Sequence, residues 1–203
     1  MILVLDAALD GCLAAVVRDG TVVAERRQTG GRGSSAVLPE MARAVLAEAG
    51  VAAADLSVVA VTVGPGSFTG VRAALALAQG IALAAGVPVR GVSLGEAMRA
   101  VTPVPDWVVI DSRRGRVFLD IDGTVASVAL DALPEPGRPV SVAGDAARLV
   151  VDRLGARGVL LDADGPTPGG IALAAMAGER AAVPLYVDPA EARPGPAGRP
   201  APT

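Results

Sequence analysis

Apolar residues along the chain recur with two spacings, and each change of spacing marks a change of element. Residues 1–5 are an unbroken apolar run, as a central strand buried on both faces requires, and Asp6 closes it. Residues 12–18 and 21–25 read as two more strands. They meet at Asp19-Gly20, a dipeptide suited to a two-residue hairpin turn. After Gly30-Gly31-Arg32-Gly33, Ser34 and Ser35 are candidate N-caps for a helix that runs to about Ala49 and stops at Gly50, with Pro39 tolerated in its first turn. A strand over 58–63, a helix over 71–85, a strand over 87–92 and a helix over 93–101 follow. This order, with buried runs at the first and fourth strands, predicts an α/β lobe on a mixed sheet.

A second lobe begins near Asp106, after Pro103-Val104-Pro105, and its opening repeats the first. Val108-Val109-Ile110-Asp111 echoes Leu3-Val4-Leu5-Asp6, and Asp122-Gly123-Thr124-Val125 echoes Asp19-Gly20-Thr21-Val22, the mark of an internal duplication. A strand near 139–143, a helix over 145–154, a strand over 159–161 and a helix over 169–178 complete it. The expected organisation is a lobe over 1–102, a smaller lobe over 103–188, and a disordered proline- and glycine-rich tail over 189–203.

Composition narrows the chemistry. The 203 residues are 52% hydrophobic but only 2% aromatic, so the core must be built from Ala, Val and Leu. A net charge of −3 disfavours direct binding of nucleic acid, because that affinity comes from Lys and Arg neutralising phosphates. The single cysteine, Cys12, allows no internal disulfide, and a small buried core residue is its expected role. The start of the chain reads directly as a strand rather than a signal peptide. The apolar stretch 73–89 is interrupted by Gln79, Gly80, Gly86 and Pro88, so a cytoplasmic protein without a membrane span is expected.

The sequence contains no histidine, which removes His-dependent metal sites, Ser-His and Cys-His pairs and imidazole bases together. No catalytic residue and no metal is therefore expected, and no cofactor is assigned. Between a buried strand and a helix lies Gly64-Pro65-Gly66-Ser67-Phe68-Thr69-Gly70, whose backbone amides could cradle an anion. It lacks the lysine of a P-loop, the spacing of the dinucleotide fingerprint and the glycines of a hydrolase elbow. A tight turn that packs helix against strand accounts for the same residues. Asp6 and Asp111 close the first strand of each lobe and would face each other across a cleft, or simply cap turns. Asp6, Gly64, Gly66, Ser67 and Asp111 are thus the candidate cofactor-binding positions.

The helix over 71–85 has only Arg72 and Gln79 as polar side chains, seven residues apart on one stripe. A helix apolar all round must be covered all round, and a sheet covers only one side. Leu38, Met41, Ala42 and Val45 on the preceding helix, with Arg72, Leu75, Ala76, Gln79 and Leu83, are the candidate dimer interface. Full burial within one domain is the alternative.

The run Gly64 to Arg72 followed by Ala78-Gln79-Gly80 resembles the hallmark of the TsaB (YeaZ) family. Leu5-Asp6-Ala7-Ala8, Leu38-Pro39, Ile110-Asp111-Ser112-Arg113, Val117-Phe118 and Pro184-Leu185-Tyr186 resemble the family in order and spacing. The resemblance implies the two-lobed fold of actin, Hsp70 and sugar kinases (ASKHA), with the second lobe abbreviated. It also implies a non-catalytic subunit in the synthesis of N6-threonylcarbamoyladenosine at position 37 of tRNA. Its implied partners are a TsaD-like transferase, a TsaE-like ATPase and, when alone, a second copy, with tRNA reached only through the complex. TsaD carries paired metal-binding histidines, and this chain has none. An ATP-binding kinase-like or peptidase-like enzyme, and a plain homodimeric binding module, are the other readings.

Overall fold

The computed structural model describes residues 1–30, 34–113 and 115–187. The tail expected over 189–203, and Gly31 to Gly33, lie outside the described residues. Strands β1 (Ile2–Asp6), β2 (Gly11–Arg18), β3 (Thr21–Thr29), β4 (Val58–Gly64) and β5 (Val89–Ser93) form one sheet in the order β3-β2-β1-β4-β5. β1 runs antiparallel to β2 and parallel to β4, so the sheet is mixed. Leu3 and Leu5 point to the face that α1 (Leu38–Glu48) and α2 (Phe68–Ala85) cover, while Val4 points to the other face and packs with Ile171. The unbroken apolar run of β1 is thereby explained: both faces of the strand are core.

The second sheet contains β6 (Trp107–Asp111), β7 (Arg116–Ile121), β8 (Thr124–Ala129), β9 (Val140–Ala143) and β10 (Gly158–Leu160) in the order β10-β9-β6-β7-β8. That is the first sheet's order repeated strand for strand. The two hairpins match in detail, since Asp19 and Gly20 (φ 50° and 78°) and Asp122 and Gly123 (φ 51° and 85°) both take the double positive φ of a type I′ turn. In the first lobe α1 connects the third strand to the fourth; in the second, residues 130–139 do so with only a 3₁₀ turn, Leu130–Ala132. This missing helix is the abbreviation. α4 (Ala147–Leu154) packs on the second sheet.

Three local expectations shift. α1 begins at Leu38 after a 3₁₀ turn, Ser34–Val37, with Val37 at the N-cap position and no side-chain cap. α2 begins at Phe68 rather than 71, because the Ser67 hydroxyl accepts the Gly70 amide at 3.1 Å and nucleates the helix one turn earlier. α3 (Leu94–Arg99) is shorter than expected and opens on a capping box, Ser93 with Glu96. The lobe boundary is also more entangled than sequence order suggests. α5 (Pro168–Ala177) returns to the first sheet, where Ile171, Ala172 and Ala175 pack against Val4, Leu13 and Ala60. The strap 180–187 then lies along that sheet, with the Gly91 amide donating to Arg180 O (2.9 Å) and the Leu185 amide to Val63 O (2.8 Å).

Candidate functional site: the interlobe cleft and the outer face of α2

β4 ends where the chain must turn sharply into α2, and the turn presses directly on the β1–β2 connection. The Ser67 amide donates to Ala8 O at 2.7 Å. A Cβ on Gly66 would lie 2.0 Å from Ala8 O, and one on Gly70 2.0 Å from Ala7 O. Only glycine permits these approaches. With the Ser67 and Val71 amides bonded to backbone carbonyls and the Gly70 amide to Ser67 Oγ, this turn is a packing device.

Beside it opens a cleft of about 1150 Å³ between the lobes, with Gly66, Ser67, Phe68 and Arg72 on one wall and Asp111, Arg113, Arg116 and Phe118 on the other. Of the five positions expected to bind a cofactor, Gly66, Ser67 and Asp111 line this cleft; Asp6 and Gly64 do not. Asp6 is 8% exposed, accepting the Ala8 amide at 2.9 Å and a close hydrogen bond from the Thr62 hydroxyl. Burial pushes its pKa above the ordinary carboxylate value, against the pull of those donors. The expected pair of facing aspartates is therefore not formed: Asp6 is a structural acceptor under the turn, and Asp111 alone is at the cleft. Asp111 Oδ1 accepts the Arg113 amide (2.7 Å), and the Asp111 amide donates to Asp145 (2.8 Å). Burial, with the neighbouring Asp111 charge, raises Asp145. No group of His, Cys, Asp or Glu among the described residues is arranged to hold a metal ion.

α2 has the length and hydropathy of a membrane span, but one face of it is built into the lobe through Val71, Ala74, Leu75, Ala78 and Ala82. Of the nine candidate interface residues, Leu38, Ala42, Val45 and Leu75 are 0–4% exposed and belong to this lobe's own core, so they offer no surface. α1 packs over β2 and β3. The polar stripe is also claimed from within: Gln79 donates to Ala182 O at 3.1 Å, and Arg72 donates to the Tyr186 hydroxyl. Ala76, Gln79, Gly80, Leu83 and Ala84 stay outward, Leu83 being 86% exposed. A Cβ on Gly80 would meet nothing within 4 Å.

Sequence reasoning did not select Phe68, Arg113, Arg116, Phe118 or Tyr186 as site residues. The available signal was scarcity, since a chain with two phenylalanines, one tyrosine and one tryptophan places three of those four at one cleft.

Two lobes of repeated topology around a cleft define the actin-like ASKHA class. The activator of 2-hydroxyisocaproyl-CoA dehydratase from Clostridium difficile shares this fold, at a TM-score of 0.50 and 12% identity over 86% of this chain and 92% of that one. Within the class, the model of the TsaD family, tRNA N6-adenosine threonylcarbamoyltransferase, matches residues 22–144. The tRNA threonylcarbamoyladenosine biosynthesis protein TsaB of Bacillus subtilis is 30% identical over 205 residues, covering 88% of this chain and 90% of its own. YeaZ from Pseudomonas aeruginosa superposes with a TM-score of 0.76 at 27% identity, over 91% of this chain and 98% of that one. The chain belongs to the TsaB (YeaZ) family.

Proposed function

We propose that this chain is a non-catalytic partner subunit that dimerises with a TsaD-like transferase and supports threonylcarbamoyl transfer to adenosine 37 of tRNA. The observation that carries the reading is the outer face of α2. Leu83 stands almost fully in solvent, and Gly80 forgoes helix propensity without any contact inside the chain that requires it. A helix of another chain crossing at Gly80 would use both, since a missing side chain allows close backbone approach. Arg72, Ala76 and Gln79 border the same surface. When no transferase is present a second copy would cover it; a TsaE-like ATPase and tRNA join through the assembled cytoplasmic complex.

Family membership supports the pathway, and the chemistry of the chain supports the accessory role. The sequence has no histidine. Ser67 Oγ, the serine hydroxyl of the glycine-rich turn on which a peptidase reading would draw, is engaged as a helix cap. Size-exclusion chromatography with light scattering, run with and without the TsaD-like subunit, tests the proposal. A one-to-one complex is expected, and Gly80→Leu or Leu83→Glu should weaken it by at least about tenfold while the melting temperature holds. Absence of any complex, or threonylcarbamoyl transfer by this chain alone, would sink it.

A further inference from the structure

Partner docking on α2 leaves the aromatic rim of the interlobe cleft unused. Phe68 and Tyr186 are 68% and 63% exposed there, in a chain with only four aromatic side chains. Burial does not explain two rings in solvent, yet the structure holds them in place. The Arg72 guanidinium lies 3.2 Å from the Phe68 ring centroid and 5.3 Å from that of Tyr186, and it donates to Phe68 O (3.0 Å) and to the Tyr186 hydroxyl. Rings braced on one cation make a rigid aromatic surface, the kind on which proline-rich segments pack.

The opposite wall is cationic. Arg113 and Arg116 form no ion pair with a carboxylate among the described residues. Arg116 is held by neutral oxygens of Ser127, the hydroxyl at 2.9 Å and the carbonyl at 2.6 Å. The carboxylates that line the cleft are Asp111 and Asp145, against Arg72, Arg113 and Arg116, so it is cationic on balance inside an acidic chain.

The segment of chain nearest to this surface is the C-terminal one. The described residues end at Val187, which lines the cleft next to Tyr186. Sixteen residues follow, 188–203, and five of them are proline: Pro189, Pro194, Pro196, Pro200 and Pro202. The first two charges after Val187 are negative, Asp188 and Glu191, opposite in sign to Arg113 and Arg116. Proline fixes its own φ, so a proline-rich segment loses less entropy than an average one when it is ordered on a surface. It also leaves from a fixed point, because the Leu185 amide donates to Val63 O (2.8 Å) and Arg180 pairs with Glu96. A short tether of this kind holds the segment beside the cleft at an effective concentration of about millimolar.

We propose that residues 188–196 dock in the interlobe cleft of their own chain, their prolines packing on Phe68 and Tyr186 and their carboxylates, Asp188 and Glu191, facing Arg113 and Arg116. The cleft, about 1150 Å³, exceeds the roughly 300–1,000 Å³ of a pocket for a drug-sized molecule and admits a short peptide. Docked there, the segment competes with any other occupant of the cleft. Neither a transferase nor the α2 surface is needed for this contact, so the chain alone can be tested.

The test compares the full chain with a chain that ends at Val187 and with a full-length variant carrying Asp188→Ser, Pro189→Ser, Glu191→Ser, Pro194→Ser and Pro196→Ser. Far-UV circular dichroism of all three should match, since no contact among the described residues is removed. Amide hydrogen exchange at residues 111–118, read by mass spectrometry, should be faster in both altered chains and unchanged in β1 and β4. A fluorescent peptide of residues 188–203 should bind the shortened chain with a Kd of about millimolar or tighter, and the full chain about fivefold or more weakly, because the attached segment competes. On the shortened chain, Phe68→Ala, and Arg113→Ala combined with Arg116→Ala, should each weaken the peptide about fivefold or more. Protection at 111–118 that grows with protein concentration would place the segment on a second copy and overturn docking within its own chain. Equal exchange in all three chains, a peptide that fails to bind at about millimolar, or binding that ignores these substitutions overturns the proposal.

Discussion

At the scale of single residues, three glycines of one motif have opposite reasons to exist. Gly66 and Gly70 are pressed against the carbonyls of Ala8 and Ala7, so Gly66→Ala must push backbone against backbone and should cost about 1–3 kcal/mol in urea denaturation. Gly80 faces open space, so Gly80→Ala should stabilise the isolated chain by up to about 1 kcal/mol. Asp6 makes a third test. Because burial raises its folded pKa above the unfolded value, the folded state binds that proton more tightly. The resulting stability is full below the ordinary carboxylate range and is lost as pH rises through the raised value. The stability of the parent relative to Asp6→Asn should therefore grow as pH falls from neutral toward about 4. The sequence placed Asp6 at a strand end, but nothing in its neighbours predicted Thr62, fifty-six residues away, as its donor.

Elements were the most legible scale. Every strand and helix expected from periodicity is present, and the shifts at α1 and α2 are end effects set by capping. The strap 180–187 was not legible, because it has neither helical nor strand periodicity and is held by long-range bonds to Gly91, Val63, Gln79 and Arg72. Its firmest anchor is the forked pair of Arg180 with Glu96, at 2.6 Å. Arg180→Ala should speed amide hydrogen exchange at residues 181–187 while leaving β1 and β4 protected, as mass spectrometry of peptides would read. The reach of the strap also gives Arg72 and Gln79 partners within the chain. Their polar ends serve this segment, while Ala76, Gly80 and Leu83 lie beside them, about a sixth of a turn round the helix.

At the scale of the whole molecule, the lobes are joined by more than a linker. Arg99 at the end of α3 pairs with Asp120 of β7 at 2.9 Å and also donates to its carbonyl, with side chains only 19% and 3% exposed. Asp120→Ala would leave a guanidinium buried without its partner and should destabilise the protein by about 3 kcal/mol in chemical denaturation, more than Arg99→Met, which removes the cation from its side of the pair. Val108, Ile110 and Ala143 of the second sheet share the first lobe's core, and α5 closes the first sheet from the far end of the chain. Local patterning by itself determined the elements, the duplicated hairpins and the absence of histidine chemistry, because periodicity, turn preference and composition are properties of neighbouring residues. Tertiary structure alone decided which apolar residues of α1 and α2 became core, where the strap runs, and which aromatic and cationic side chains meet at the cleft. Those outcomes depend on contacts between segments tens of residues apart, and no local pattern encodes them.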